Sequence, residues 1–272
     1  MRSLKENIDE ELSRQEGIFA VAFKDLSTGK KLLINDTVTF HAASTMKTPV
    51  LIEVYKQASE GKFSLSDSLV IKNEFKSIAD GSLFSLDSTD DSETELYRHI
   101  GEKRTISFLV YQMIIVSSNL ATNLIMELVT AKNVSATMQE LGATGIHVLR
   151  GVEDNKAFDR GLNNTITANG LMVLFEKMAK GKTVDPVASQ AMINILLDQK
   201  FNDIIPAGLP ANVKVAHKTG FITGIHHDSG IIFLPDGRKY VLVLLSKNLK
   251  DEKSAVKAMA NVSKLIYELV TR

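Results

Sequence analysis

The strand-like runs of this chain lie near its two ends, and the long stretch between them reads mainly as helix. "GIFAVAFKD" (17–25) is short, apolar and rich in β-branched and aromatic residues. "LSTGK" turns it back into "KLLIN", so residues 18–34 read as a hairpin. Comparable runs return in the last third: "VKVAHKTGF" (213–221), "DSGIIFL" (228–234) and, after Pro235-Asp236-Gly237, "KYVLVLLS" (239–246). The economical packing is one five-stranded antiparallel sheet made from 17–34 and 213–246, covered by terminal helices, with an all-helical unit inserted. The expected class is α/β of the α+β kind. Residues 1–43 and 201–272 would form a discontinuous sheet domain and 44–200 a helical domain, with a site at their interface.

Periodicity supplies the helices. Leu4, Ile8 and Leu12 form a stripe in 3–16, and Val50, Leu51, Val54 and Ala58 share a face in 45–61, stopped by Gly61. Further helices are expected at 105–116, 119–130, 134–141, 167–180 and 186–199, and a last one at 251–271 carries Val256, Met259, Ile266 and Leu269. The acidic stretch "DSTDDSETE" (87–95) reads as an exposed loop, and a loop occupies roughly 144–166.

Bulk properties remove whole classes. The 272 residues carry 32 basic and 32 acidic side chains, so no basic field favours nucleic acid or an anionic membrane. With no cysteine, disulfides, thiolate catalysis and cysteine-ligated zinc are excluded. No apolar run approaches the roughly 20 residues of a membrane span. The start "MRSLKENIDEELSRQ" is polar and is not a signal peptide.

Chemistry enters through "HAASTMKTP" (41–49), where Ser44 precedes Lys47 by three positions. Residues so spaced share a helix face, so Lys47 can reach the Ser44 hydroxyl. The spacing alone selects nothing, because Ser27–Lys30, Ser59–Lys62 and Ser254–Lys257 repeat it. Those fall in a hairpin turn, a frayed helix end and a solvated helix face. Ser44 instead begins a strong helix, where free backbone N–H groups and the positive end of the helix dipole suit attack on a carbonyl. The bland alternative is an N-cap serine followed by a solvated lysine. Two more stretches weigh against it: "VSSNLATN" (116–123), between two helices, and "HKTGF" (217–221), on an apparent strand.

The ordered trio Ser44-x-x-Lys47, Ser117-x-Asn119 and Lys218-Thr219-Gly220 resembles the penicillin-recognising serine enzymes, class A β-lactamases in particular. The likeness runs from about 17 to 270 and includes Phe40 through Lys47, the long central loop and the last helix. It implies a β-lactamase/transpeptidase-like fold. It implies Ser44 as the acylated nucleophile, Lys47 as an aid to its deprotonation and Ser117 as proton relay to the leaving nitrogen. Asn119 would hold the substrate's side-chain amide, and Lys218 and Thr219 its carboxylate. Gly220 would leave room for the ligand along the strand, and the N–H groups of Ser44 and Phe221 would form the oxyanion hole.

Three departures accompany the likeness. Ser118 stands where class A enzymes usually carry Asp, which implies altered packing. Ser229, after His226-His227-Asp228, stands where an arginine often helps hold the carboxylate. The family's loop glutamate, in Glu-x-x-Leu-Asn, has two counterparts in "LRGVEDNKAFDRGLNNTITA" (149–168). Asp159-x-x-Leu162-Asn163 keeps the spacing; counting from Arg150 points to Glu153, preferred because its longer side chain reaches the ester more easily.

The expected function is hydrolysis of β-lactams through an acyl-enzyme on Ser44, with no cofactor and no metal. Its partner is the small-molecule β-lactam; a monomer without nucleic acid or a membrane span is expected. The likeness implies export to the periplasm or beyond, after removal of a signal peptide. Alternatives are a penicillin-binding protein or D-Ala-D-Ala peptidase, or a non-hydrolytic β-lactam-binding relative. Gly181-Lys182-Thr183 ends like a phosphate loop, but Glu176 stands where its first glycine should be. His226 and His227, adjacent on a strand, point to opposite faces and make a poor zinc pair. His41, His99 and His147 read as packing or surface residues.

Overall fold

The computed structural model describes residues 3–272; Met1 and Arg2, which open the polar start and the first domain range, lie outside the described residues. Strands β1 (Ile18–Asp25) and β2 (Lys31–Ile34) form the expected hairpin. Short strands follow: β3 (Phe40–His41), β4 (Ser68–Val70), β5 (Phe75–Lys76), β6 (Leu83–Phe84), β7 (Lys103–Thr105) and β8 (Thr165–Ile166). They pair as β3–β8, β4–β7 and β5–β6. The last third supplies β9 (Lys214–Ile222), β10 (Ile225–Phe233) and β11 (Lys239–Lys247). The five-stranded sheet runs β2-β1-β11-β10-β9, antiparallel throughout, so β1 pairs with the last strand of the chain and β9 forms an edge.

The helices are α1 (Leu4–Ser13), α2 (Lys47–Ser59), α3 (Ile106–Ile115), α4 (Asn119–Val129), α5 (Ala131–Glu140), α6 (Asn155–Asp159), α7 (Ala168–Ala179), α8 (Pro186–Leu197) and α9 (Glu252–Val270). Among the described residues every helix except α2 begins on a side-chain cap. Ser3 and Glu6 close a capping box on α1, and Thr167, Asp185 and Asp251 cap α7, α8 and α9. Gly181, with φ 68°, follows the end of α7, so Gly181-Lys182-Thr183 lies at a helix C-terminus and not in a phosphate loop.

Because side chains alternate along a strand, the sheet buries both faces. Phe19, Val21, Phe23, Leu242 and Leu244 face α1 and α9. Ala20, Ala22, Val241, Val243 and Leu245 face the core that holds α2 and α7. On α9 the buried stripe is Ala255, Ala258, Met259, Val262 and Ile266, while Leu269, expected inside, is exposed near the helix end. The helix expected over 45–61 begins as a 3₁₀ turn, Ala43–Met46, before α2 proper. Eight consecutive α2 residues, Lys47 to Val54, are buried, marking a central helix rather than an amphipathic surface one. Among the described residues no helix is long and apolar enough to cross a membrane.

Candidate active site

Ser44 sits in the 3₁₀ turn after Ala43, whose φ of 44° is unusual for a residue with a side chain. Neither the turn nor α2 takes a side-chain N-cap, so the serine hydroxyl is not occupied in capping. The turn packs on β9. A Cβ on Gly220 would lie 3.1 Å from Ser44 N, Thr45 N and Thr45 Cγ2. A side chain here would crowd the turn that carries Ser44, a constraint on Gly220 besides the room for a ligand expected from sequence. Gly220→Ala should push the turn off the strand and lower kcat/KM on a β-lactam about tenfold or more, measured by initial rates beside an unchanged far-UV spectrum.

Lys47 and Lys218 are both wholly buried. Burying an ammonium costs several kcal/mol unless it is paired, so neither is an ordinary solvated lysine. Lys47 Nζ donates to Ser117 O at 2.6 Å, Ser117 Oγ at 3.1 Å and Asn119 Oδ1 at 2.8 Å. It makes no hydrogen bond to Ser44, contrary to the reach expected from spacing; its stem extends instead toward the start of α4. Lys218 Nζ donates to the same Ser117 Oγ at 3.0 Å and to Thr219 O at 2.9 Å. The two amines thus occupy both acceptor positions of one hydroxyl and leave its O–H free to donate. Burial lowers Lys47 to about 7, with Asp91 and Glu153 opposing the shift. Burial, and then the charge of Lys47, hold Lys218 well below the usual lysine range.

Asn119 links the lysine to a carboxylate. Its Nδ2 donates to Glu153 Oε1 at 2.6 Å while its Oδ1 faces Lys47. Burial raises the Glu153 carboxyl above its usual value; the Asn119 hydrogen bond pulls the other way. The loop is shaped to deliver this residue. Arg150 closes its neck by donating to Leu162 O at 2.9 Å and Asn163 Oδ1 at 2.9 Å, and Asn164 accepts from the N–H groups of Leu149 and Arg150. Asp154, next in chain, caps α6 and accepts from Ser77 Oγ at 2.8 Å. Glu153 itself has φ 60°, and Ser117 has φ 57°. With Ala43, three of the six positive-φ residues other than glycine among the described residues adjoin one site. Asp159 lies at the exposed end of α6 and joins none of these contacts.

Some positioning residues were not legible from motif reading. Asn123, at the end of "VSSNLATN", clamps Val152 by both backbone groups, at 2.7 and 3.0 Å. A Cβ on Gly151 would sit 2.1 Å from Asn123 Oδ1, so that glycine is demanded by the clamp. Asp91, in the stretch expected to be an exposed loop, is buried against α4. Ser118 caps α4 by accepting from Ala121 N at 3.2 Å. Behind Lys218, His217 Nδ1 lies 2.8 Å from Asp228 Oδ1, and Asp228 Oδ2 accepts from Ile205 N at 3.0 Å. His226 lies at the rim with its ring on Phe221, centroids 4.7 Å apart, while His227 is buried and held neutral, down to about 4, chiefly by desolvation. The two histidines point apart as expected, and no metal-holding cluster occurs among the described residues. Ser229 is fully buried and turned to Lys218 O, so it does not reach the cleft.

A cleft of about 770 Å³ is lined by Ser44, Ser117, Asn119, Thr219, Gly220 and Phe221 and extends to Lys253 and Lys257 of α9. Sequence comparison decides the family: the model of the beta-lactamase enzyme family matches residues 3–270. The chain belongs to the beta-lactamase enzyme family. Solved structures agree at the level of fold. A beta-lactamase from Chitinophaga pinensis superposes with TM-score 0.86 at 21% identity, covering 99% of this chain and 100% of that one. One from Sphaerobacter thermophilus gives 0.83 at 23%, covering 98% and 97%. A leucine-to-glutamate mutant of PBP-A, solved as an acyl-enzyme complex with penicillin-G, gives 0.84 at 25%, covering 98% and 96%. No curated protein matches the chain in sequence.

Proposed function

We propose that this member of the beta-lactamase family is a class A serine hydrolase that opens β-lactams through an acyl-enzyme on Ser44. The observation that carries the reading is the continuous hydrogen-bonded chain Lys218–Ser117–Lys47–Asn119–Glu153 beside the uncapped Ser44. Ser44 Oγ adds to the lactam carbonyl and its proton passes to Lys47, directly or through water. The Ser44 and Phe221 N–H groups hold the oxyanion. As the C–N bond breaks, Ser117 donates its free proton to the ring nitrogen and is reprotonated by Lys47. Glu153 then takes a proton from water, whose oxygen attacks the ester; the ring-opened acid leaves as the ester C–O bond breaks, and Glu153 gives that proton to Ser44 Oγ. Lys218 and Thr219 bind the substrate carboxylate, with Lys253 and Lys257 the lysines at the far end of the cleft. We further infer that 1–43 with 201–272 and 44–200 act as two units with the cleft at their seam, and that the protein works after export, as a monomer.

The matched fold of PBP-A keeps a second reading in view, an acylated but slowly released penicillin-binding protein. One experiment separates them: mixing with a chromogenic cephalosporin, recording product and taking an intact mass. Many turnovers support hydrolysis. One stoichiometric burst with a lasting adduct supports the second reading, and neither product nor adduct defeats both.

The pH dependence follows from the two titrating groups. Lys47 must be neutral to take a proton, so acylation should rise as pH climbs through about 7. Glu153 must be ionised, and because burial raises its carboxyl, deacylation should fail on acidification earlier than for an ordinary glutamate. Stopped-flow acylation and steady-state kcat between pH 4 and 9 (about the range needed) measure the two limbs. A flat acylation profile through neutrality would remove Lys47 from the role.

A further inference from the structure

We propose that Asp91 is a positioning residue of this site: reaching in from the acidic loop, its carboxylate holds the first turn of α4 and so the Asn119 amide between Lys47 and Glu153. The inference rests on the catalytic reading above and deepens it. Both Asp91 oxygens accept from Asn119 N, at 3.0 and 2.9 Å, and Oδ2 also accepts from Leu120 N at 3.0 Å. Ala121 N goes to Ser118 Oγ at 3.2 Å and Thr122 N to Ser118 O at 3.2 Å. The N–H groups of the whole first turn are thereby satisfied, half of them by a residue outside the helix. Ser118, with one side-chain oxygen already engaged, cannot replace it. Tyr97 fixes the carboxylate from the far side, donating its hydroxyl to Oδ2 at 2.9 Å.

A cap serving helix stability alone needs no charge. This one is a buried carboxylate beside a buried amine, and it opposes the desolvation of Lys47 more than Glu153 does. The charged groups facing Lys47 are Asp91 from the acidic loop, Glu153 from the long loop and Lys218 from β9. Asp90 adds its charge to that of Asp91 at Glu153. Asp91 therefore sets both the place of Asn119 and the field at the base.

The test is Asp91→Asn, read two ways in the full chain. By NMR of the Lys47 side chain, the titration midpoint should fall by about half to one pH unit, because an opposing negative charge is lost. With a β-lactam, the acid limb of acylation should move the same way and kcat/KM should fall about 10- to 100-fold, kcat carrying most of it. Asp91→Glu, which retains the charge, should keep the midpoint near that of the parent. A lowered melting temperature with unmoved Lys47 midpoint and acid limb would reduce Asp91 to a helix cap and overturn the proposal. Should Asp91→Asn not fold, Asp91→Ser keeps a cap acceptor without the charge and is judged by the same midpoint. If the parent protein neither turns over nor is acylated, the catalytic reading fails, while the Lys47 titration still decides the role of Asp91.

Discussion

Ser44→Ala should abolish covalent attachment of a β-lactam and lower kcat/KM by at least about 10⁴-fold, toward the uncatalysed background. The expected size follows from the chemistry. Without the hydroxyl no ester forms, and Lys47, Ser117 and Glu153 have no intermediate to serve. The remaining oxyanion donors and binding groups can only favour direct attack by water. The fold should be indifferent to the change, because the hydroxyl caps neither the 3₁₀ turn nor α2 and Ser44 is half-buried at the cleft. Intact mass after incubation with a penicillin, steady-state rates and a thermal melt check all three parts. An adduct persisting in the alanine variant would place the nucleophile elsewhere.

Glu153→Gln should separate the two half-reactions. The amide is isosteric and its oxygen can still accept from Asn119 Nδ2, so the loop should keep its place. It cannot take a proton from water. Deacylation should slow by about 10²–10⁴-fold, the range of a positioned base, while acylation is much less affected. Acyl-enzyme should then accumulate and be seen as a stable added mass. Loss of the Glu153 charge should also move the acid limb of acylation to lower pH, since that charge raises the Lys47 pKa. Asp159→Asn is the control, expected to be silent because Asp159 is exposed. A penicillin-binding protein would behave differently: turnover would already be slow in the parent, and the glutamine variant would change little. Silence at Glu153 together with trapping at Asp159 would reverse the assignment.

How far such predictions could be written from sequence differs between the motifs. Local pattern reads Lys218-Thr219-Gly220 only as part of a strand, and its role comes from the resemblance that the ordered trio carries. The pair Ser44–Lys47 was readable only in company, and even then the expected contact between them is not made. A three-residue spacing places two side chains on one face; it does not say where a long, flexible stem ends. That depended on Ser117 and Asn119, 70 and 72 positions away from Lys47, which receive its amine. The choice between Glu153 and Asp159 had the same character. Both counts along the loop were admissible, and the anchors that bring Glu153 rather than Asp159 to Asn119, Asn123 on Val152 and Ser77 on Asp154, come from other parts of the chain.

The sequence by itself determined the five sheet strands, the longer helices and their order, but not the short strands β3 to β8 or α6. Short continuous apolar runs near the chain ends and period-three-to-four runs between them need no partner to be read, because they reflect which residues of a local element must leave water. It also determined the antiparallel sheet, since the separated hairpins could complete one another. Tertiary structure alone decided what is charged and buried. Asp91 reads as one more acid in "DSTDDSETE", yet it is buried on the first turn of α4, where its charge is felt at Lys47. Burial and electrostatic coupling arise when distant segments meet and exclude water, so no local pattern records them.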